Sequence, residues 1–205
     1  ILDAYSYYLD SFSSIDNEKR MLIKNNNNHS RLIYLSNYFK DSIFIIMIRD
    51  PIAHSNSLLN QHLNFLNLQK KDPFILEYMN LIGHCEFGLN TIPFTYNSDV
   101  DNWFKKISKK TLDYWLMQWI KTYEWIMKSD LMNRKNILIV PYEKLCKDYS
   151  FYKNICKKIN INNHKSGLSF NSANKDSGVE SLLERKQLIT LSKNIYKKII
   201  ENSKF

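Results

Sequence analysis

Arg49 and Ser57 are the residues whose types and spacing most clearly suggest chemistry, set eight positions apart behind and within the run Arg49-Asp50-Pro51. A guanidinium is permanently charged and presents a planar fork that matches the oxygens of a phosphate. A serine hydroxyl two helical turns further on can donate one more hydrogen bond to the same anion. The spacing alone leaves a plainer reading open, in which Arg49 pairs with a carboxylate and Ser57 is an ordinary helix-surface residue.

The elements around this pair decide what it can do. Ile43 to Ile48 is a continuous apolar run rich in β-branched residues, which predicts a strand covered on both faces, as in a parallel sheet. Asp50 is a good N-cap and Pro51 a good first helical residue, so a helix is expected from Pro51 to about Leu68. Leu58, Leu59, His62, Leu63 and Leu66 are available to its buried side. Arg49 would then sit beyond the carboxyl end of a strand, where open parallel sheets bind ligands, with the positive end of the helix directed at the same region. His54 and His62 read as polar positions of that helix first and as acceptor contacts second.

Further elements follow from periodicity. Residues 1–14 and 29–39 are expected to be helical, and Arg20 to Lys24 a short buried strand. The four asparagines from Asn25 to Asn28 favour a turn. Residues 73–83 predict a helix and 84–100 an irregular segment. Thr111 to Lys128 carries Leu112, Trp115, Leu116, Trp119, Tyr123, Ile126 and Met127 at steps of three and four, the pattern of a core helix. Ile137 to Val140 predicts a second apolar strand, and Pro141-Tyr142-Glu143 opens a helix. Residues 149–159 and 179–200 complete the helices, separated by a polar stretch over 160–176. Strands alternating with helices predict an α/β fold with a mostly parallel sheet, in one domain over residues 1–205.

Composition bounds the function. The chain has 205 residues, a hydrophobic fraction of 44% and only four glycines and four prolines, which suits a globular domain without long linkers. Its net charge of +9 favours anionic partners: nucleic acid, an acidic membrane surface or a phosphorylated small molecule. Three cysteines without a CxxC spacing argue against a disulfide framework or a structural zinc site, and a reduced, cytoplasmic setting is the default expectation. No apolar run reaches the length of a transmembrane helix, and no metal is expected.

Behind its hydrophobic strand, the run from Arg49-Asp50-Pro51 to Ser57 resembles the 3′-phosphate-binding motif of sulfotransferases that use 3′-phosphoadenosine 5′-phosphosulfate. Lys24-Asn25-Asn26-Asn27 followed by Phe39-Lys40-Asp41 looks like the family's approach to that strand. Trp115, Trp119 and Tyr123, then Ile137–Val140 and Tyr142-Glu143-Lys144-Leu145, resemble its "Tyr-Glu-x-Leu" segment, with Asp148 in place of the acidic residue that often follows. The stretch from His54 through Gly88 resembles bacterial members. Together these cover residues from about 20 to 160.

The resemblance implies a helix-rich, P-loop NTPase-like three-layer α/β/α fold. It implies a sulfonate donor nucleotide as co-substrate and a small-molecule or glycan hydroxyl or amine as acceptor. Arg49 and Ser57 become cofactor-binding residues, and Lys24 takes the place of a lysine that stabilises the bridging oxygen. Many members carry a catalytic histidine three residues after that lysine; Asn27 stands there, and His29 is the nearest substitute. His84 and Glu86 are candidates to line the acceptor pocket. Two departures stand out. The Gly-Thr-containing phosphosulfate loop and its strand have no match, and the resemblance places them upstream of Ile1, so the domain is expected to be N-terminally truncated and the fragment without the sulfonate cradle. The basic C-terminal loop has only Lys175 and Ser177 as loose stand-ins. Two alternatives remain at this point, a nucleotide-type kinase of related fold and a basic nucleic-acid-binding domain.

Overall fold

The computed structural model describes residues 2–13, 21–95, 98–161 and 183–203. Two five-residue strands, β1 (Phe44–Ile48) and β2 (Ile137–Pro141), pair in parallel with Ile46 opposite Ile139. Nine helices surround them among the described residues: α1 (Leu2–Ser13), α2 (Leu32–Tyr38), α3 (Pro51–Lys71), α4 (Pro73–Leu81), α5 (Ser98–Lys106), α6 (Leu112–Lys128), α7 (Tyr142–Lys147), α8 (Tyr149–Lys158) and α9 (Leu183–Glu201). The result is a helix-rich, mixed α/β arrangement. None of the described helices is long and apolar enough to cross a membrane.

The main core lies on one face of the strand pair. Ile46 and Ile48 from β1 and Ile137 and Ile139 from β2 meet Leu116, Trp119, Ile120, Tyr123 and Ile126 of α6, with Ile195 and Ile199 of α9 behind them. Each such buried aliphatic side chain contributes about 1.5–3 kcal/mol in water-transfer terms. On the opposite face, Val140 of β2 packs with Phe151 and Ile155 of α8. Helices therefore cover both faces of β2 but only one face of β1. Ile45 and Met47 remain 41% and 44% exposed, which corrects the expectation of a strand buried on both sides.

Several boundaries agree with the periodicity, and some expectations are overturned. The strand expected at Arg20 to Lys24 does not form: residues 21–25 are irregular and exposed, and Arg20 lies outside the described residues. A strand needs a neighbour to receive its backbone hydrogen bonds, and none of the described residues provides one there. Residues 26–31 form a 3-10 turn before α2, with the Asn25 side chain accepting from the Asn27 N–H. The segment expected to be irregular, 84–100, ends in a helix: its last three residues open Ser98–Lys106. On α3 the buried positions are Pro51, Ser55, His62 and Gln69, whereas Leu63 is exposed.

A second, smaller cluster lies beyond the carboxyl ends of the strands. Phe104 of α5 packs on Tyr114 and Trp115 at the start of α6, with Leu58 and Leu59 of α3 and Phe87 against them. The cluster packs α3 on the start of α6, and α6 is fastened to β1 two turns beyond Trp115, where Tyr123 donates its hydroxyl proton to the Met47 carbonyl at 3.2 Å.

Candidate anion-binding site

The Arg49-Asp50-Pro51 turn follows β1 directly and is tied down from three directions. Asp50 caps α3 as the sequence suggests, its Oδ1 accepting from the Ile52 and Ala53 N–H groups at 3.0 and 2.9 Å. The Asp50 N–H donates to Glu143 Oε1 at 2.8 Å, linking the turn to α7 beyond β2. Glu143 Oε2 in turn accepts from the Tyr196 hydroxyl of α9 at 2.8 Å. Burial, followed by this carboxylate, pushes the Tyr196 hydroxyl well above its usual range, so it stays protonated and keeps donating.

The half-buried Arg49 lies with its guanidinium carbon 5.4 Å from the centre of the Tyr142 ring. At that distance the ring face attracts the charge and helps to hold the guanidinium at this end of the strand. The Tyr142 hydroxyl is itself raised in pKa by the Cys146 thiol beside it and by burial, with Arg49 opposing. One turn into α3, His54 belongs to the same group: Arg49 and Glu143 both act on its charge, and burial, the larger cause, lowers its pKa to about 4. The ring is therefore neutral at neutral pH. His54 as a residue is partly exposed, yet its Nδ1 is sealed from solvent and has no hydrogen-bond partner among the described residues. His54 is thus a polar position of α3, as expected, with one ring nitrogen turned into the protein.

The start of α3 offers an anion less than its dipole suggests. Pro51 has no N–H, Asp50 Oδ1 occupies those of Ile52 and Ala53, and the His54 N–H bonds the Asp50 carbonyl at 2.9 Å. The donors left for a ligand at this end are side chains. Ser57 is one of them, exposed and one turn beyond His54.

The other expected residues are dispersed. Lys24 is exposed in the irregular segment before the 3-10 turn. His29 sits in that turn with its ring edge-on to Phe94 at 4.4 Å, and burial lowers its pKa to about 4. Phe94 is held by Gln118 of α6, which accepts from its N–H at 3.0 Å and donates to its carbonyl at 2.8 Å. Gln118 lies five residues before Tyr123, about 7.5 Å along the helix, so His29 is brought to the carboxyl side of the sheet, as Arg49 is. His84 and Glu86 pair at 2.7 Å at the distant end of α3. Their segment is fastened there by Gln69, which accepts from the Leu89 N–H at 2.7 Å. Gln69 is 18 residues from Pro51, or about 27 Å along the helix, so this pair and Arg49 are not neighbours.

His62 is fully buried, its Nδ1 accepting from the Gly88 N–H at 3.2 Å and lying 3.3 Å from the Thr91 hydroxyl, against Trp115. It serves the core. Lys175 and Ser177 lie outside the described residues. Among the described residues there is no group of three or more His, Cys, Asp or Glu side chains placed to hold a metal ion. A cavity of about 410 Å³ opens at the opposite, amino end of the strands, between Lys40, Asp130 and Lys135. Its Arg134 is a structural clasp, donating to Ile33 O at 3.2 Å and Asn37 Oδ1 at 2.7 Å.

Sequence reasoning passed over Glu143 and Tyr196 as functional supports. Glu143 had a signal, its place directly after a strand, but Tyr196 looks like any tyrosine of an amphipathic helix. No family model, curated protein or solved structure matches the chain.

Proposed function

We propose that this chain is a sulfotransferase-type domain that holds the 3′-phosphate of 3′-phosphoadenosine 5′-phosphosulfate and moves its sulfonate to a hydroxyl or amine of a small-molecule or glycan acceptor. The finer fold assignment, a P-loop NTPase-like three-layer α/β/α domain, is part of the same proposal. One observation carries it: Arg49 stands past the carboxyl end of a parallel strand, its guanidinium near the Tyr142 ring, with His54 and Ser57 following on the helix that starts there. This is the edge of a parallel sheet at which α/β domains receive ligands.

The division of labour follows from the residues. Arg49 supplies a permanent charge to the phosphate, and Ser57 supplies a neutral donor. The Glu143–Tyr196 pair holds the Asp50 backbone, and with it the direction in which Arg49 leaves the strand. In the transfer, a bond forms between the acceptor oxygen or nitrogen and sulfur, while the bond from sulfur to the 5′-phosphate oxygen breaks and that oxygen leaves with the electron pair. The acceptor proton passes to a base. By the resemblance His29 would take it, a role its burial works against because it lowers the pKa to about 4, and Lys24 would meet the charge that develops on the leaving oxygen.

The test is calorimetric binding of adenosine 3′,5′-bisphosphate. Arg49→Ala is expected to weaken it by about 1.5–3 kcal/mol, the range for a hydrogen bond to a charged group. Unchanged affinity in the variant would remove the phosphate from Arg49 and the donor assignment with it.

A further inference from the structure

We infer that His54 is a third side-chain ligand of the anion at this site, donating a hydrogen bond from Nδ1 between Arg49 and Ser57. The inference rests on the phosphate-binding reading of Arg49 and extends it to a residue that lies in the resembling stretch but to which the resemblance assigns no role toward the anion.

Three observations lead to it. The backbone donors at the start of α3 are already used: those of Asp50, Ile52, Ala53 and His54 by Glu143 and Asp50, while Pro51 has none. An anion docking here must be bound by side chains. His54 Nδ1 and the adjacent Ser55 Oγ are the polar side-chain atoms of this turn that are shut away from water and unpartnered among the described residues, and of the two the imidazole is the one that lies within reach of the Arg49 charge. Buried polar atoms are nearly always hydrogen-bonded, so an exception at the edge of a parallel sheet points to a partner that arrives with a ligand. Finally, His54 lies near enough to Arg49 for the guanidinium to act on its charge, and Ser57 follows it three residues on, on the same face of α3.

The chemistry suits a phosphate monoester. A neutral imidazole carries one N–H, and with the proton on Nδ1 it donates without adding a second positive charge beside Arg49. Its other charged neighbour is Glu143, whose two oxygens are engaged by Asp50 N and Tyr196. His62, eight residues further along α3, shows the contrasting state, with Nδ1 served by Gly88 and Thr91.

The experiment is titration calorimetry of adenosine 3′,5′-bisphosphate on the full 205-residue chain and on Arg49→Ala, His54→Phe, His54→Asn and His54→Gln, each with a thermal melt. Asparagine places an amide N–H near the position of Nδ1, and glutamine near that of Nε2. His54→Phe is expected to raise Kd about tenfold, the loss of one good hydrogen bond. His54→Asn should stay within about threefold of the native chain, and His54→Gln should bind as weakly as the phenylalanine variant. If Arg49→Ala weakens binding and His54→Phe does not, the His54 assignment falls and the phosphate reading stands. If Arg49→Ala also binds normally, or the native chain does not bind, both fall. Should His54→Phe fail to fold, the asparagine and glutamine variants decide: asparagine binding tighter supports Nδ1 as the donor, and equal binding or tighter binding by glutamine overturns it.

Discussion

His54 and His62 lie two turns apart on α3, and burial lowers the pKa of both. Around His62 every feature is structural. Nδ1 accepts from Gly88, the ring leans on Trp115 with centroids 5.3 Å apart, and the Lys109 ammonium caps the Thr91 carbonyl beside it. Around His54 the backbone is equally well satisfied, but the ring nitrogen is not, and the neighbours are charged groups rather than aromatic walls. The difference separates two uses of a buried histidine. A ring whose bonds close within the protein holds segments together, whereas one left unpartnered beside a guanidinium keeps a donor in reserve.

The sharpest way to break the comparison is at His62. His62→Ala leaves the Gly88 N–H without its acceptor and a void against Trp115, and is expected to cost about 2–4 kcal/mol of stability. In the fraction that remains folded, affinity for adenosine 3′,5′-bisphosphate should be unchanged. Denaturant melts and calorimetry check the two halves separately, and a loss of affinity in folded protein would erase the distinction between the two rings.

Glu143→Ala is a smaller perturbation at the other ring. It strands the Asp50 N–H and the Tyr196 hydroxyl and should cost about 1–3 kcal/mol. Here binding should weaken as well, because the turn that aims Arg49 is loosened. Glu143→Gln, which keeps an acceptor for Asp50, should recover part of the affinity. Equal effects of the two substitutions on binding would argue against the positioning role.

The smallest effect is on pH dependence. The ordinary histidine pKa is near 6.5, and in the fold His29 and His54 lie at about 4. Between those values the unfolded chain binds more protons than the folded one, so stability rises with pH. It is complete above about pH 6.5 and declines as the pH falls toward 4. Melting temperatures measured across that window should show the decline in the native chain and a shallower one in His54→Phe. An identical slope in both would mean that His54 is not shielded from protonation.

Much of the scaffold was legible because it is local. The apolar run before Arg49, the Asp50-Pro51 start of α3 and the aromatic stripe of α6 each carry their own period or cap within a few residues, and each element formed where expected. Short-range signals also misled. Met21, Leu22 and Ile23 look like a buried strand but stay exposed, since apolar character cannot supply a hydrogen-bonding neighbour. Ser98–Lys106 was passed over because its first residues favour turns when read alone.

The candidate site divides in the same way. The sequence by itself determined that a guanidinium would emerge from the end of an apolar strand into a capped helix, because strand, cap and proline are neighbours in the chain. Tertiary structure alone decided which face of α3 is buried, since His62 and Gln69 accept from the Gly88 and Leu89 N–H groups, 26 and 20 positions away. It also decided that Glu143 and Tyr196, 93 and 146 residues beyond Asp50, would close on the Arg49 turn. Hydrogen bonds between such distant residues leave no period in a sequence; they exist only once the core has brought the helices together.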